Sequence, residues 1–350
     1  MRNDMLASAP LPDSGAAEIL WVPTDDHWQL ALHHYAPRQE IGQFPILMVH
    51  GIAANARHFD LDERHSLARF AAAQGFRVYV LDLRGAGESR PSEGARAARS
   101  YGFGDYARRD LPEAIHFVLQ HSGKKSLHAV GHSMGGMLLF CIGTETRHEL
   151  RSITSIGTPL VGHLQLGLGP RERRLLQLAT SLTPAARFTP PGQRRVPLKR
   201  MFGAAGLVLP VSRRLADDFL YNSANIEPHV VQLLASEGIH DVPMQLVTEI
   251  ASRVQQAEGH SSPYVYEDRL SAVVAPIFAL SGSVDRIAPP GTVSAAVARI
   301  VGRDVRYREM GTRFGDRIDY GHVDLLLGRH APFEVYPQVL QFIQETDFAA

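Results

Sequence analysis

Ser126-Leu-His-Ala-Val-Gly131-His132-Ser133-Met134-Gly135-Gly-Met-Leu-Leu-Phe140 decides how the chain is read. An aliphatic run ends at Gly131, a serine follows between two glycines, and an apolar helical pattern begins at Met134 and continues to about Gly143. A strand that turns into a helix this abruptly strains the backbone of its turning residue, and flanking glycines leave room for it. Ser133 is therefore predicted to be exposed and reactive at the C-terminal edge of a sheet. A bare G-x-S-x-G arises by chance in roughly one chain in six of this composition, so the surrounding elements must carry the reading.

Working outward, β-branched and aliphatic runs alternate with helical patterns, as in strands joined by crossover helices. Glu18-Ile-Leu-Trp-Val and Trp28-Gln-Leu-Ala-Leu-His-His-Tyr35 predict an opening antiparallel hairpin, turned at Thr24-Asp25-Asp26-His27. Further strands are predicted at 45–50, 77–82, 126–131, 152–156, 276–280 and 304–309, and helices at 61–74, 103–120, 134–143 and 333–345. The fold class is α/β, with a mainly parallel central sheet flanked by helices. Between Pro159 and about residue 245, Pro184, Pro190, Pro191, Pro197, Pro210 and Pro228 punctuate short apolar helical patterns, and the alternation fails. Residues 160–245 therefore read as an inserted, mostly helical cap on a core made of 1–159 and 246–350.

The 350 residues carry 36 basic and 36 acidic side chains, and a neutral total argues against a dedicated nucleic-acid binder. The neutrality conceals two blocks. Residues 160–214 hold ten Lys or Arg against Glu172 alone, a balance of +9, and 215–270 hold nine acids against Arg253 and Arg269, a balance of −7. Such runs usually form solvated faces; the sharper expectation is steering of anionic substrates or peripheral contact with an anionic lipid surface. The single Cys141 cannot close an intrachain disulfide, the N-terminus has no signal-peptide pattern, and no apolar run reaches 18 residues. The expected location is the cytoplasm, and Cys141 reads as a buried small apolar residue.

A serine hydroxyl needs a base to take its proton, and the base needs an acid to hold its tautomer, in the chain order serine, acid, histidine. His322, in Asp319-Tyr-Gly-His322-Val-Asp324, follows the last predicted strand and is the expected base. Asp285 lies just past the preceding strand and is the expected acid. Asp316, Asp319 and Asp324 are the alternatives, which would have to loop back to reach the far nitrogen of His322. His50-Gly51 ends an earlier strand, so the backbone N–H groups of Ile52 and Met134 are the candidate oxyanion donors. His132 reads as packing. His33 and His34 point to opposite faces of one strand, so no metal is assigned. Gly85-x-Gly87 lacks the third glycine of a dinucleotide fingerprint, where Arg90 stands, and no cofactor is expected.

With the elbow, these partners and Asp82-Leu-Arg84-Gly85-Ala-Gly87-Glu-Ser89 in view, the sequence resembles the α/β-hydrolase superfamily over most of the chain outside the insert. The tail from Gly321 to Gly328 and through Ala331-Pro-Phe-Glu-Val-Tyr-Pro337 is similar to that of acid lipases and polyhydroxyalkanoate synthase-like proteins. The synthases carry cysteine at the elbow where this chain has Ser133, which disfavours polymer synthesis. The resemblance implies a serine esterase or lipase-like enzyme acting on a small-molecule ester with a hydrophobic acyl group. Leu164–Leu168 and Met201–Leu209 would line the acyl pocket. An acyltransferase on the same three residues, and a non-catalytic ligand-binding relative, are the alternatives.

Overall fold

A computed structural model describes residues 18–94, 101–144, 149–159, 195–199, 219–255, 267–302 and 304–348. The strands are β1 (Glu18–Pro23), β2 (Trp28–Tyr35), β3 (Ile46–Val49), β4 (Val78–Leu81), β5 (Arg90–Pro91), β6 (Leu127–His132), β7 (Leu150–Ile156), β8 (Arg195–Val196), β9 (Val242–Pro243), β10 (Ile277–Gly282) and β11 (Val305–Met310). Described helices include α1 (Leu67–Ala73), α2 (Leu111–Ser122), α3 (Met134–Gly143), α4 (Pro228–Leu233), α5 (Met244–Gln255), α6 (Pro290–Val297), α7 (Asp324–Leu327) and α8 (Tyr336–Asp347).

The main sheet runs β1-β2-β4-β3-β6-β7-β10-β11, with β5 on the side of β2. β2 is antiparallel to β1, β4 and β5, and every pairing from β4 to β11 is parallel. The chain leaves β3 toward β4 on one side and returns to β6 on the other. That reversal makes the C-terminal ends of β3 and β6 the topological switch point, the place where α/β sheets bind ligands. Alternate residues of the same strands feed two cores. Leu47, Val49 and Leu81 pack with Leu111, Ile115 and Leu138 from α2 and α3, while Ile46, Met48, Val78 and Val80 pack with Leu67, Ala71, Val339 and Ile343 from α1 and α8. Both faces are covered, which is why these strands read as continuous apolar runs.

Some predicted bounds move for identifiable reasons. The expected helix at 61–74 begins at Leu67, because Ser66 caps it by accepting the Arg69 N–H and the residues before it form a polar turn. The expected helix at 103–120 widens at Tyr106–Asp110 into a π-type turn before α2. Asp110, at the end of that turn, accepts from Arg84 N and Nε at 2.8 and 2.7 Å. Cys141 is half-buried, not buried. Most of the expected cap lies outside the described residues. So do Leu164–Leu168, Met201–Leu209 and, apart from Arg195 and Lys199, the basic side chains of 160–214.

Arg84 explains the Asp-x-Arg-Gly stretch. Its guanidinium is fully buried between Asp110 and Asp26, whose oxygens it meets at 2.7 and 2.6 Å, and it lies over the Trp28 ring. Removing one partner from such a pair strands the others without solvent, at about 3–5 kcal/mol. Arg84→Met is therefore expected to lower the unfolding free energy by about 3–5 kcal/mol in urea titration. Arg84→Met/Asp110→Leu should recover part of that loss, and a double variant no more stable than the single one would disprove the pairing argument.

Candidate active site

Ser133 occupies the turn between β6 and α3 with φ 54° and ψ −120°, a conformation that side chains other than glycine rarely adopt. The glycines around it are required by space. A Cβ on Gly131 would stand 2.6 Å from Gly136 Cα, and one on Gly135 would stand 2.7 Å from the carbonyl carbon of Val49. Ser133 is only 5% exposed, against the expectation of an exposed residue. The loop after β3 approaches it so closely that a Cβ on Gly51 would sit 3.0 Å from the Ser133 Cβ.

His322 lies before α7 and Asp285 in the loop after β10. His322 Nδ1 is 2.8 Å from Asp285 Oδ2, and both side chains are buried. Asp285 Oδ1 accepts from the N–H groups of Ile287 and Ala288, each at 2.8 Å, so both carboxylate oxygens are held. With Nδ1 donating to Asp285, the lone pair of a neutral His322 is left on Nε2. The alternative acids are engaged elsewhere. Asp316 meets Arg308, Asp319 accepts from Ser283 and Thr312, and Asp324 accepts from Gly321 N, Asn222 N and Asn225 Nδ2.

Two contacts bring this pair and Ser133 to one sheet edge. The Ser133 N–H donates to Ile156 O at 2.9 Å, and the next residue, Gly157, with φ 55°, backs onto the pair: a Cβ there would lie 3.2 Å from His322 Nδ1 and 3.4 Å from Asp285 Oδ2. The His132 ring packs on that of His322, with centroids 4.8 Å apart, and its Nε2 donates to the His322 carbonyl at 3.2 Å. His132 thus packs, as expected, and also ties the histidine loop to the elbow.

Sequence reasoning overlooked the side chain of His50. Its Nδ1–H donates to Gly51 O at 2.8 Å, and its Nε2 accepts the Leu83 N–H at 3.1 Å. The Gly51 carbonyl and the Ile52 N–H belong to one planar peptide and point in opposite directions. Fixing the carbonyl therefore fixes the direction of the N–H. Met134, as the first residue of α3, has an N–H with no acceptor inside its helix. Asn55 and His240 were also missed, and Asp82 was read only as part of the Asp82–Ser89 stretch. Asn55 Nδ2 reaches Glu237 O and His240 Nε2 at 2.7 and 2.8 Å, His240 N donates to Ala53 O, and Asp82 accepts from Ala56 N and pairs with His33. Asn55 and His240 are single polar residues beside the Gly51 loop, which no motif spacing marks. An open cavity of about 440 Å³, lined by Phe219, Tyr221, Val284, Arg286, Asp319 and Gly321, flanks the loops of Asp285 and His322.

The chain belongs to the alpha/beta hydrolase fold family, whose model matches residues 45–328. It is 30% identical over 129 residues to gastric triacylglycerol lipase of Rattus norvegicus, an alignment covering 34% of this chain and only about a third (33%) of that lipase. Lipase member K of Mus musculus is 22% identical over 331 residues, 86% of this chain and 80% of the relative. Among solved structures, a membrane phospholipase A described as a bacterial virulence factor superposes with TM-score 0.60 at 19% identity, covering 99% of this chain and 92% of that one. A thermophilic esterase from Thermogutta terrifontis superposes with TM-score 0.57 at 20% identity, over 95% and 100%. No helix among the described residues is long and apolar enough to cross a membrane.

Burial and neighbouring imidazoles push His58 down to about 3 and His132 well below the usual histidine range. Both rings stay neutral in the folded protein, whereas the unfolded chain takes up protons below about pH 6.5. The stability that depends on them is complete above about pH 6.5 and is lost as pH falls toward the folded values. Between pH 6 and 4 the unfolding free energy of the wild type is expected to fall faster than that of His58→Leu, by about 1.4 kcal/mol per pH unit, the slope of one proton. Urea midpoints across that range measure the difference, and parallel curves would show that His58 protonates freely when folded.

Proposed function

We propose that this protein is a carboxylic ester hydrolase working through Ser133, His322 and Asp285. The observation that carries the reading is the conjunction of a strained serine at a strand-to-helix turn with a buried histidine–aspartate pair on the same sheet edge. Membership in the alpha/beta hydrolase fold family and similarity to lipases and an esterase support it.

In this reading the Ser133 Oγ attacks the acyl carbon of a bound ester while His322 Nε2 takes the hydroxyl proton. Asp285 holds the ring in the tautomer that leaves Nε2 free and stabilises the imidazolium as it forms. Negative charge on the carbonyl oxygen is met by the N–H groups of Ile52 and Met134, the first aimed by His50. The proton passes to the departing alcohol; water, deprotonated by the same ring, then attacks the acyl carbon, and the ring returns that proton to Ser133 Oγ as the acid leaves. These residues need no cofactor for that sequence. Residues 160–245 are assigned to a cap that selects a small-molecule ester with a hydrophobic acyl group.

Two variants test the assignment. An active-site fluorophosphonate is expected to label the wild type and not Ser133→Ala; labelling that survives the substitution would remove Ser133 from the nucleophile role. His50→Phe, which loses both ring contacts and leaves the three side chains in place, should lower kcat on a p-nitrophenyl ester by roughly 100-fold with little change in KM. An unchanged kcat would detach His50 from oxyanion positioning. A panel of esters varying acyl length and head-group charge, measured at two salt concentrations, then defines the substrate.

A further inference from the structure

A second cluster of chemically capable side chains lies between the turn that precedes α1 and the first turn of α4. Asp62, His65 and His229 each bring one potential ligand atom within 4.8 Å of the others. Asp62 Oδ2 is 3.3 Å from His229 Nε2, and the two Asp62 oxygens lie 3.0 and 3.1 Å from His65 Nδ1. The His65 ring is fully buried, and its other nitrogen, Nε2, faces Glu227 Oε2 at 3.3 Å; neither of those atoms has a hydrogen-bond partner among the described residues.

This geometry poses a charge problem. A neutral imidazole carries one proton and one lone pair, so with a carboxylate at each nitrogen one carboxylate must face a lone pair. Something positive has to occupy the second position. A second proton would make His65 an imidazolium clamped between Asp62 and Glu227. A metal ion on the Nδ1 side would leave the ring's single proton on Nε2, pointing at Glu227. His229 favours the ion, because it brings a second imidazole to the same Asp62 oxygen, where an imidazolium clamp has no use for it. Metal-bound histidines commonly donate their far N–H to a carboxylate, and Glu227 stands in that position. Asp62 Oδ1 accepts the backbone N–H groups of Arg64 and His65 and so orients the side chain, leaving Oδ2 for the ion. Two imidazoles and one carboxylate suit zinc and its neighbours in the first transition series better than magnesium or calcium. The side chain of His229 is 57% exposed, which gives an entry path and room for a water ligand.

We propose that Asp62 Oδ2, His65 Nδ1 and His229 Nε2 bind a zinc-class divalent ion, with Glu227 orienting His65 from the opposite side of its ring. The ion takes no part in ester chemistry. It joins the start of α4 to the core beside α1 and stabilises that junction.

The test uses tag-free, full-length protein loaded with zinc chloride and desalted. About one zinc per chain should remain by elemental analysis, cobalt should give the visible absorption of a four-coordinate site, and Tm should rise with zinc but not with magnesium. Asp62→Asn, which keeps the backbone-orienting oxygen, and His229→Ala, at an exposed position, should each weaken zinc binding by roughly 100-fold, and Glu227→Gln by about 10- to 100-fold. Circular dichroism establishes that the variants are folded. Wild type that retains no zinc, or zinc retained equally by Asp62→Asn/His229→Ala, would overturn the assignment. So would nuclear magnetic resonance showing the His65 ring doubly protonated in excess zinc.

Discussion

The close approach of α3 to the end of β3 is the constraint from which the rest of the site follows. Gly135 lies against the Val49 carbonyl with no space for a Cβ, and Gly131 lies against the backbone of Gly136 in the same way. With both positions pressed this tightly, the residue between them has nowhere to go but positive φ, and its side chain projects over the sheet edge. The same compression brings Gly51 to Ser133 and starts α3 at Met134, so the positions of Ser133 and of the candidate oxyanion donors share one cause. Strain of this kind persists because the surrounding packing over-determines it. The apolar floor of Leu47, Val49, Leu138 and Leu139 supplies that packing.

Around this floor the loops are held by buried polar side chains that each satisfy several backbone groups. Asp82 accepts from the N–H groups of Ala56 and Glu88, Ser89 bridges Asp82 O and Ala31 N, and Asp324 accepts from Gly321, Asn222 and Asn225. Each replaces what water would provide, which is the condition for keeping irregular backbone inside a protein. Loops tied in this way are fixed by the protein's own hydrogen bonds, the condition under which backbone donors keep one direction.

The sheet was legible from the sequence because its parallel strands are covered on both faces and read as unbroken aliphatic runs. Ser133 was legible because strain demands glycines at fixed offsets, and Asp285 and His322 because each follows a strand end. The expectation that Ser133 is exposed failed because burial depends on the Gly51 loop, which packs from a distant part of the chain. Arg84 was visible only as part of a pattern, since its partners Asp26 and Asp110 lie 58 and 26 residues away. His65 and His229 carry no signal at all. Their meeting depends on where α4 docks, and local periodicity holds no information about that.

One short stretch touches both halves of the site. Near its beginning, Leu220 O accepts the Val323 N–H and Asn222 grips the loop of His322; near its end, Glu237 and His240 hold Asn55 and Ala53 beside Ile52. Between those grips run α4 and the wider turn Leu234–Gly238, a rod of helical backbone of fixed length. The rod works as a gauge block: its residue count sets the gap between the loop of His322 and the loop of Gly51. A single insertion between 226 and 237 would therefore shift the His322 loop and the Gly51 loop relative to one another.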